Sequence, residues 1–549
     1  MATTTEQTPL IPKPAAVYPT RRDFAFLITG ILSFAFIGSL DGTIVATLLS
    51  TIGSSLQSMQ YSSWIGTAYM LARTAATPLF GRLANILGRR PSIVFAGVLF
   101  AVATVLCGFA ENMTQLVAYR ALAGIGGSGL TVVGSIILSD IVPLKSRGLY
   151  QGFMNISWGL GAAVGAPLGG YLGDTIGWRS AFTSQAPILC IGLIFIFFSV
   201  REPQSILNAQ RTTLLAKLRR IDYAGTASLV GALLSFVVGM EYKTVSGYGW
   251  GEREVWGWLI ASALLTTSFL LVEYKIAAEP ILAVWMLKQR TPFFVATHNF
   301  LLSLLTFSTL YNVPLYFTAA RLLPASIAGL HLTPNSAAVA LSSVGAGWYM
   351  RRTGKYWWMQ TIMCAALVVA NVVLAGWDAH TPEWILYTTL LPSGFGSAGS
   401  VTTTLLALIA SIPAEEIPLA TGLSYLFRTT GEVLGVSLSA ALTQTLLARE
   451  LRARIGDEEI IEKILASTKF IHTLPDDLKD KATASWMAAL HVVFLSQVVI
   501  AVCLFLSALP IEELPLPDKI ASAVSKPPPR QDVEEGVSGE GDGRDGGRR

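Results

Sequence analysis

Five charged side chains fall inside otherwise apolar stretches of this sequence: Asp41, Arg73, Arg120, Arg428 and Glu432. A charge in hydrocarbon is costly, so such residues are kept for pairing, for carrying a proton or for holding a charged solute. Asp41 is the one carboxylate of its stretch. An isolated, desolvated carboxylate is a natural site for exchanging a proton, and its replacement by asparagine should then leave protein abundance largely intact. Arg428 and Glu432 stand four positions apart, the spacing of neighbours on one helix face. His298 and His331 could titrate, although a histidine near the end of an apolar stretch is usually interfacial. Cys107, Cys190, Cys364 and Cys503 each sit in a different stretch without ligand spacing and read as small fillers. The string Gly124-Ile125-Gly126-Gly127-Ser128-Gly129 matches a dinucleotide fingerprint, but that fingerprint needs a strand before it and a βαβ unit around it. With no nucleophile triad, phosphate-binding lysine loop or metal cluster in the sequence, no catalytic residue, cofactor or metal is expected.

The elements that must position these charges follow from composition. Of 549 residues, 52% are hydrophobic and 13% charged, against about 25% charged in ordinary soluble proteins. A bilayer core takes about 20 apolar residues per helix. Suitable runs lie near 24–47, 62–83, 92–110, 114–138, 149–172, 179–199, 222–241, 255–273, 293–318, 325–349, 357–376, 384–411, 418–447 and 485–509. A cytosolic amino terminus puts Arg82, Arg89, Arg90, Lys145, Arg147, Arg201, Arg211, Lys217, Arg219, Arg220, Lys275, Lys288, Arg290, Arg351, Arg352 and Lys355 inside, and leaves the short outer loops with Arg179, Lys243, Arg253 and Arg321. The first run begins without a small-residue cleavage site and reads as a retained span. The mixed-charge stretch 449–483 falls outside as a long loop. A net charge of +4 is too small to point to nucleic acid. The aromatic clusters at 242–258 and 348–358 read as belts at span ends.

The chain also repeats itself. Gly81 to Arg90 closes the second run and Gly347 to Lys355 closes the tenth, each with two glycines at the same spacing (Gly81 and Gly88, Gly347 and Gly354) followed by a basic residue. A parallel internal repeat is a transporter signature. Two six-helix halves leave two helices over. The expected fold is therefore an all-α polytopic membrane protein: a cytosolic tail (1–23), a six-helix bundle (24–200), a linker with two inserted helices (201–290), a second six-helix bundle (291–510) and a disordered cytosolic tail (511–549).

On these residues the chain resembles the major facilitator superfamily. Gly81 to Pro91, with Arg82, Gly88, Arg89 and Arg90, is similar to its short cytosolic loop motif, with Asn85 where an acidic residue is usual. Leu40-Asp41-Gly42-Thr43-Ile44-Val45 resembles the first-helix motif of the fourteen-helix drug:proton antiporter branch. Leu116 to Gly129, with Arg120, resembles the fourth-helix motif. Gly161 to Gly170, with Gly161, Gly165, Pro167 and Gly169, resembles the antiporter motif of the fifth helix: the glycines line one face for close packing, and the proline interrupts the hydrogen-bond ladder. Ser139 to Gly152 looks most like fungal vacuolar amino-acid transporters. The resemblance implies alternating access, proton coupling and a role for Asp41 and Arg120. It also turns corresponding helices of the two halves toward each other, which would bring Arg73 near Glu432 at matching depth as a gate. The alternative is a Glu432 pair with Arg428, leaving Arg73 free for an anionic cargo.

The expected function is secondary transport of a small organic solute, coupled to protons and resembling vacuolar amino-acid transport. The alternative is plasma-membrane efflux of drugs, organic acids or secondary metabolites. The partners expected are solute, protons and the lipid bilayer, without nucleic acid, and the protein is expected to be a monomer. Glu6, Leu10 and Ile11 resemble an acidic dileucine sorting signal.

Overall fold

The computed structural model describes residues 21–58, 63–142, 144–200, 222–244, 248–275, 285–323, 325–413, 416–466 and 468–514. Backbone polar groups have no water to bond in a bilayer, and a helix satisfies them internally. The helices of the first half are α1 (Arg21–Ser55), α2 (Ser63–Ile86), α3 (Arg89–Gly108), α4 (Met113–Ile141), α5 (Leu144–Thr175), and the broken pair α6 (Trp178–Thr183) and α7 (Ala186–Ser199), which reform one span. Then come α8 (Tyr223–Thr244) and α9 (Arg253–Lys275). The second half holds α10 (Arg290–Leu315), α11 (Ala325–Thr353), α12 (Trp357–Ala375), α13 (Glu383–Ala410), α14 (Ile417–Arg454), the short outer α15 (Glu458–Ala466) and α16 (Asp476–Ala508). These make fourteen bilayer-length segments among the described residues, as two six-helix bundles and an inserted pair.

Proline explains two irregularities. Pro187 sits in the first turn of α7, where its missing N–H costs nothing. Pro314 lies near the end of α10, and the chain continues as a π turn over Tyr316–Ala320, a wider turn compatible with the lost hydrogen bond. α5 runs unbroken through Pro167. The stretch 449–483 is not the loop expected: α14 extends to Arg454, α15 follows, and α16 begins at Asp476. Ile461, Ile464 and Ile471 of this stretch are buried with Leu447, Leu451 and Trp486, an apolar cluster that gives an outer segment reason to fold back.

Among the described residues, eleven helical spans are long and apolar enough to cross a membrane by length and composition alone. The three that are not, α2, α5 and α11, lie at the junction of the bundles, where α2 packs on α14 and α5 on α11. The faces turned to the junction are covered by protein rather than lipid, so polar and small residues are tolerated there. α8 packs across the α2–α14 seam. α9 packs on α8 and turns Leu264, Leu270 and Leu271 outward.

Candidate functional site

A cavity of about 230 Å³ lies between the bundles. The first bundle lines it with Phe34 and Gly38 of α1, Tyr69 and Arg73 of α2, Gly127 and Thr131 of α4, and Gln151, Asn155 and Trp158 of α5. The second contributes Ser303 and Phe307 of α10, Val339 of α11, Ser397 of α13, and Tyr425, Arg428 and Glu432 of α14. At 1.5 Å per residue, Arg73 and Glu432 stand roughly 20 Å from the cytosolic ends of their helices, near mid-membrane.

One ion pair among the described residues occupies this level, and a second lies nearer the outer ends of α2 and α4, beside Ile65 and Tyr69. Arg73 Nη1 lies 3.6 Å from Glu432 Oε2 and joins the two bundles across the cavity wall. That separation makes it a Coulombic contact rather than a hydrogen bond. The side chains are 25% and 13% exposed, so both reach the cavity. No ion pair joins Glu432 to Arg428 among the described residues. Arg428 instead lies 5.2 Å from the Tyr425 ring centroid, and its buried Nε has no hydrogen-bond partner among the described residues.

The second pair is sealed. Arg120 Nη1 donates to Asp41 Oδ2 at 2.7 Å, with side chains 1% and 0% exposed. Arg120 Nε donates to the Ile65 carbonyl at 3.3 Å, and its guanidinium lies 4.4 Å from the Tyr69 ring centroid. The expectation of an isolated Asp41 is therefore corrected: its counter-charge comes from the other residue singled out by the same motif reading. Neither residue lines the cavity, whereas Tyr69 does, so the sealed pair meets the cavity wall through one aromatic ring.

The loop motifs act at the cytosolic end. Gly88 has φ 109° and Gly354 φ 70°, a left-handed backbone that glycine adopts without strain. The second glycine of each repeat unit thus takes a positive φ just after its helix. The first glycine of each touches the opposite bundle. A Cβ on Gly81 would stand 3.2 Å from Gly422 Cα of α14, and one on Gly347 would overlap the Gly148 backbone of α5. Arg89 Nε donates to Asp140 Oδ2 at 3.0 Å and its Nη1 to the Ala84 carbonyl at 2.8 Å, tying the ends of α2 and α4 to the start of α3. Arg90 lies 4.3 Å from the Phe197 ring centroid. Arg82 is in the last two turns of α2, and the Asn85 side chain lies outside what is described. Gly161 packs on the Phe36 carbonyl, Gly165 on Thr43 and Leu40, and Gly169 on Ile44, so this face of α5 seats directly on the α1 backbone. Glu6, Leu10 and Ile11 lie outside the described residues.

Sequence reasoning missed several residues. Asn155 Nδ2 donates to Ser343 Oγ at 2.7 Å between α5 and α11. Arg147 of α5 donates to the carbonyls of Val142, at 3.2 Å, and Ser139 at the end of α4. Tyr69, Gln151 and Trp158 line the cavity; polar or amphipathic residues recurring within an apolar run were the available signal. Two other readings resolve as packing. Gly124 and Gly126 bring α4 against Tyr69 and Phe100. His298 is buried between Ser507 and Gln360, while His331 bonds Glu383 at 2.8 Å and stacks with Phe317 and Tyr387.

From residue 31 to 436 the sequence matches the family model of the Major Facilitator Superfamily. The chain belongs to this superfamily. It is 36% identical to the multidrug resistance protein fnx1 of Schizosaccharomyces pombe, over 87% of this chain and 90% of that one. To the vacuolar membrane amino acid uptake transporter fnx2 of the same organism it is 31% identical, over 88% and 83%. Among solved structures, the crystal structure of the human organic anion transporter MFSD10 (TETRAN) superposes with a TM-score of 0.57 at 15% identity, covering 89% of this chain and 99% of that one. That likeness shows the shared fold. As a major facilitator the protein is a multi-pass membrane transporter of small organic solutes, not an enzyme.

Proposed function

We propose that this transporter loads amino acids into the vacuole in exchange for protons, acting as a monomer. The observation that carries the reading is the cavity between the bundles, whose wall holds both a carboxylate, Glu432, and guanidinium groups, Arg73 and Arg428, amid neutral hydrogen-bonding side chains. An amino acid presents charges of both signs at once, and such a wall can meet both. The likeness to fnx2 supports cargo and membrane alike. An acidic lumen supplies the driving force: a proton leaving the vacuole moves a solute inward through alternating access.

Asp41 and Arg120 are the residues for the proton in this reading. A proton taken by Asp41 releases Arg120 from its 2.7 Å bond, and Tyr69 under the guanidinium transmits the change to the cavity wall. Arg73 and Glu432 act as the gate, in contact in one state and apart in the other. The glycine contacts Gly81–Gly422 and Gly148–Gly347 close the cytosolic half of the seam, and the Gly161, Gly165 and Gly169 face lets α1 and α5 move as one unit.

The likeness to fnx1 favours a second reading, efflux of organic compounds at the plasma membrane. Both are tested by locating a fluorescently tagged chain and measuring pH-driven uptake on that membrane. A tag on the vacuolar rim with amino-acid uptake that collapses with the proton gradient is the expected result. A tag at the cell surface makes efflux the function. Replacing Leu10 and Ile11 with alanine should move the vacuolar protein to the surface if Glu6, Leu10 and Ile11 address it.

A further inference from the structure

We infer that Arg428 is the cargo's carboxylate anchor and confines transport to solutes that carry a carboxylate. The inference rests on the transport reading and names its substrate class. Four of the five intramembrane charges are committed: Asp41 to Arg120 at 2.7 Å and Arg73 to Glu432 at 3.6 Å. Arg428 is left over, and it borders the cavity. Its guanidinium lies 5.2 Å from the Tyr425 ring centroid, which fixes one side of the planar group. Its buried Nε has no hydrogen-bond partner among the described residues. The side chain as a whole is only partly buried and borders the cavity, where its guanidinium offers a donor fork to a planar, two-oxygen acceptor. Desolvation left uncompensated in the empty state is recovered when a carboxylate binds, so the arginine selects rather than merely attracts.

The wall then orders a cargo by its charges. With Arg73 and Glu432 neutralising each other, the lining carries one excess positive charge at Arg428. A cation without a carboxylate meets that charge with nothing to offset it. An amino acid seats its carboxylate at Arg428 and its ammonium toward Glu432, one helical turn further along the same face of α14. There its ammonium competes with Arg73 for the same carboxylate, so cargo binding loosens the contact between bundles. A monocarboxylate without an amine occupies the arginine and leaves the bridge intact. The cavity of about 230 Å³ limits either to a single small molecule.

The test uses purified full-length protein in detergent, with ligand-induced thermal stabilisation as the readout. The probes are the common L-amino acids and, for the strongest of them, its carboxamide and its des-amino acid. Stabilisation by the amino acid, with the carboxamide weaker by about tenfold or more in apparent affinity, is expected. Stabilisation by the des-amino acid equal to that of the amino acid assigns the cargo to organic anions and keeps the anchor. Arg428→Gln should erase the difference between amino acid and carboxamide, and Arg428→Lys should restore it only in part. Equal binding of acid and carboxamide to the wild type, or no binding by any carboxylate, overturns the inference without recourse to a variant. Carboxylate-selective binding without proton-driven uptake would instead defeat the transport coupling and leave the anchor standing.

Discussion

Asp41–Arg120 and Arg73–Glu432 are both carboxylate–guanidinium pairs within the membrane-spanning helices, yet their surroundings differ in every respect that matters. The first is sealed within one bundle, hydrogen-bonded at 2.7 Å and tied to the Ile65 carbonyl and the Tyr69 ring. The second spans two bundles at 3.6 Å and reaches the cavity. Breaking a sealed pair strands a charge away from water, whereas a loose, partly hydrated pair parts at little cost. The molecule thus uses one chemistry twice: once inside a bundle, where in the proposed cycle only protonation of Asp41 parts the pair, and once between bundles, as a contact that opens at little cost.

The largest expected effect is on the sealed pair. Arg120→Ala or Asp41→Asn should cost about 3–5 kcal/mol of stability, read as a lowered thermal midpoint in detergent and reduced abundance. Arg73→Gln should cost no more than about 1 kcal/mol. Equal losses at the two sites would erase the distinction. The expectation from sequence that Asp41→Asn spares abundance is reversed here, because the substitution orphans Arg120.

Charge swaps sharpen the contrast. Arg73→Glu and Glu432→Arg should each lower transport on the order of tenfold, a barrier change of about 1.4 kcal/mol, and the double variant should restore it. Swapping Asp41 with Arg120 should not, since the arginine's bonds to Ile65 and Tyr69 are not reversible. Rescue at both sites, or at neither, contradicts the account. A smaller effect is expected at the cytosolic seam. Gly347→Ala puts a methyl into the Gly148 backbone and should cost about 1–3 kcal/mol of the closed state, seen as raised reagent access to the cavity from the cytosolic side. Gly42→Ala, with open space around the added carbon, should change nothing. A small effect is also expected of Asp140→Asn, which removes the partly exposed partner of Arg89 and should cost about 0–1 kcal/mol.

Much of this was legible in the sequence for physical reasons. The bilayer dictates span length, so fourteen runs gave fourteen segments, and equal depth, with the facing of helices that the resemblance implies, offered Arg73 as one of two partners for Glu432, the one the structure pairs with it. The Gly81 and Gly347 units matched because each chain reversal uses a glycine at positive φ, Gly88 in one and Gly354 in the other. Asp41 and Arg120 were found separately but not as partners, since their union depends on how α1 packs on α4, which no periodicity reports. The fold-back of 449–483 was missed because its apolar residues are few and become meaningful only against Leu447 and Trp486. Arg428 was picked out for its cost in hydrocarbon, while its lack of a partner is visible only once Glu432 is seen to be committed to Arg73.

The central claim is that the bundles part along α2 and α14 when Arg73 and Glu432 separate. Spin labels at Leu87→Cys and Pro413→Cys, with the four native cysteines replaced by alanine, report that seam by pulsed electron resonance in liposomes. Without cargo and at neutral pH, one short distance is expected. Acidification with amino acid should add a longer one, and the combined Arg73→Gln and Glu432→Gln variant should populate the longer distance without either. A single distance unchanged by proton, cargo and variant would contradict the account.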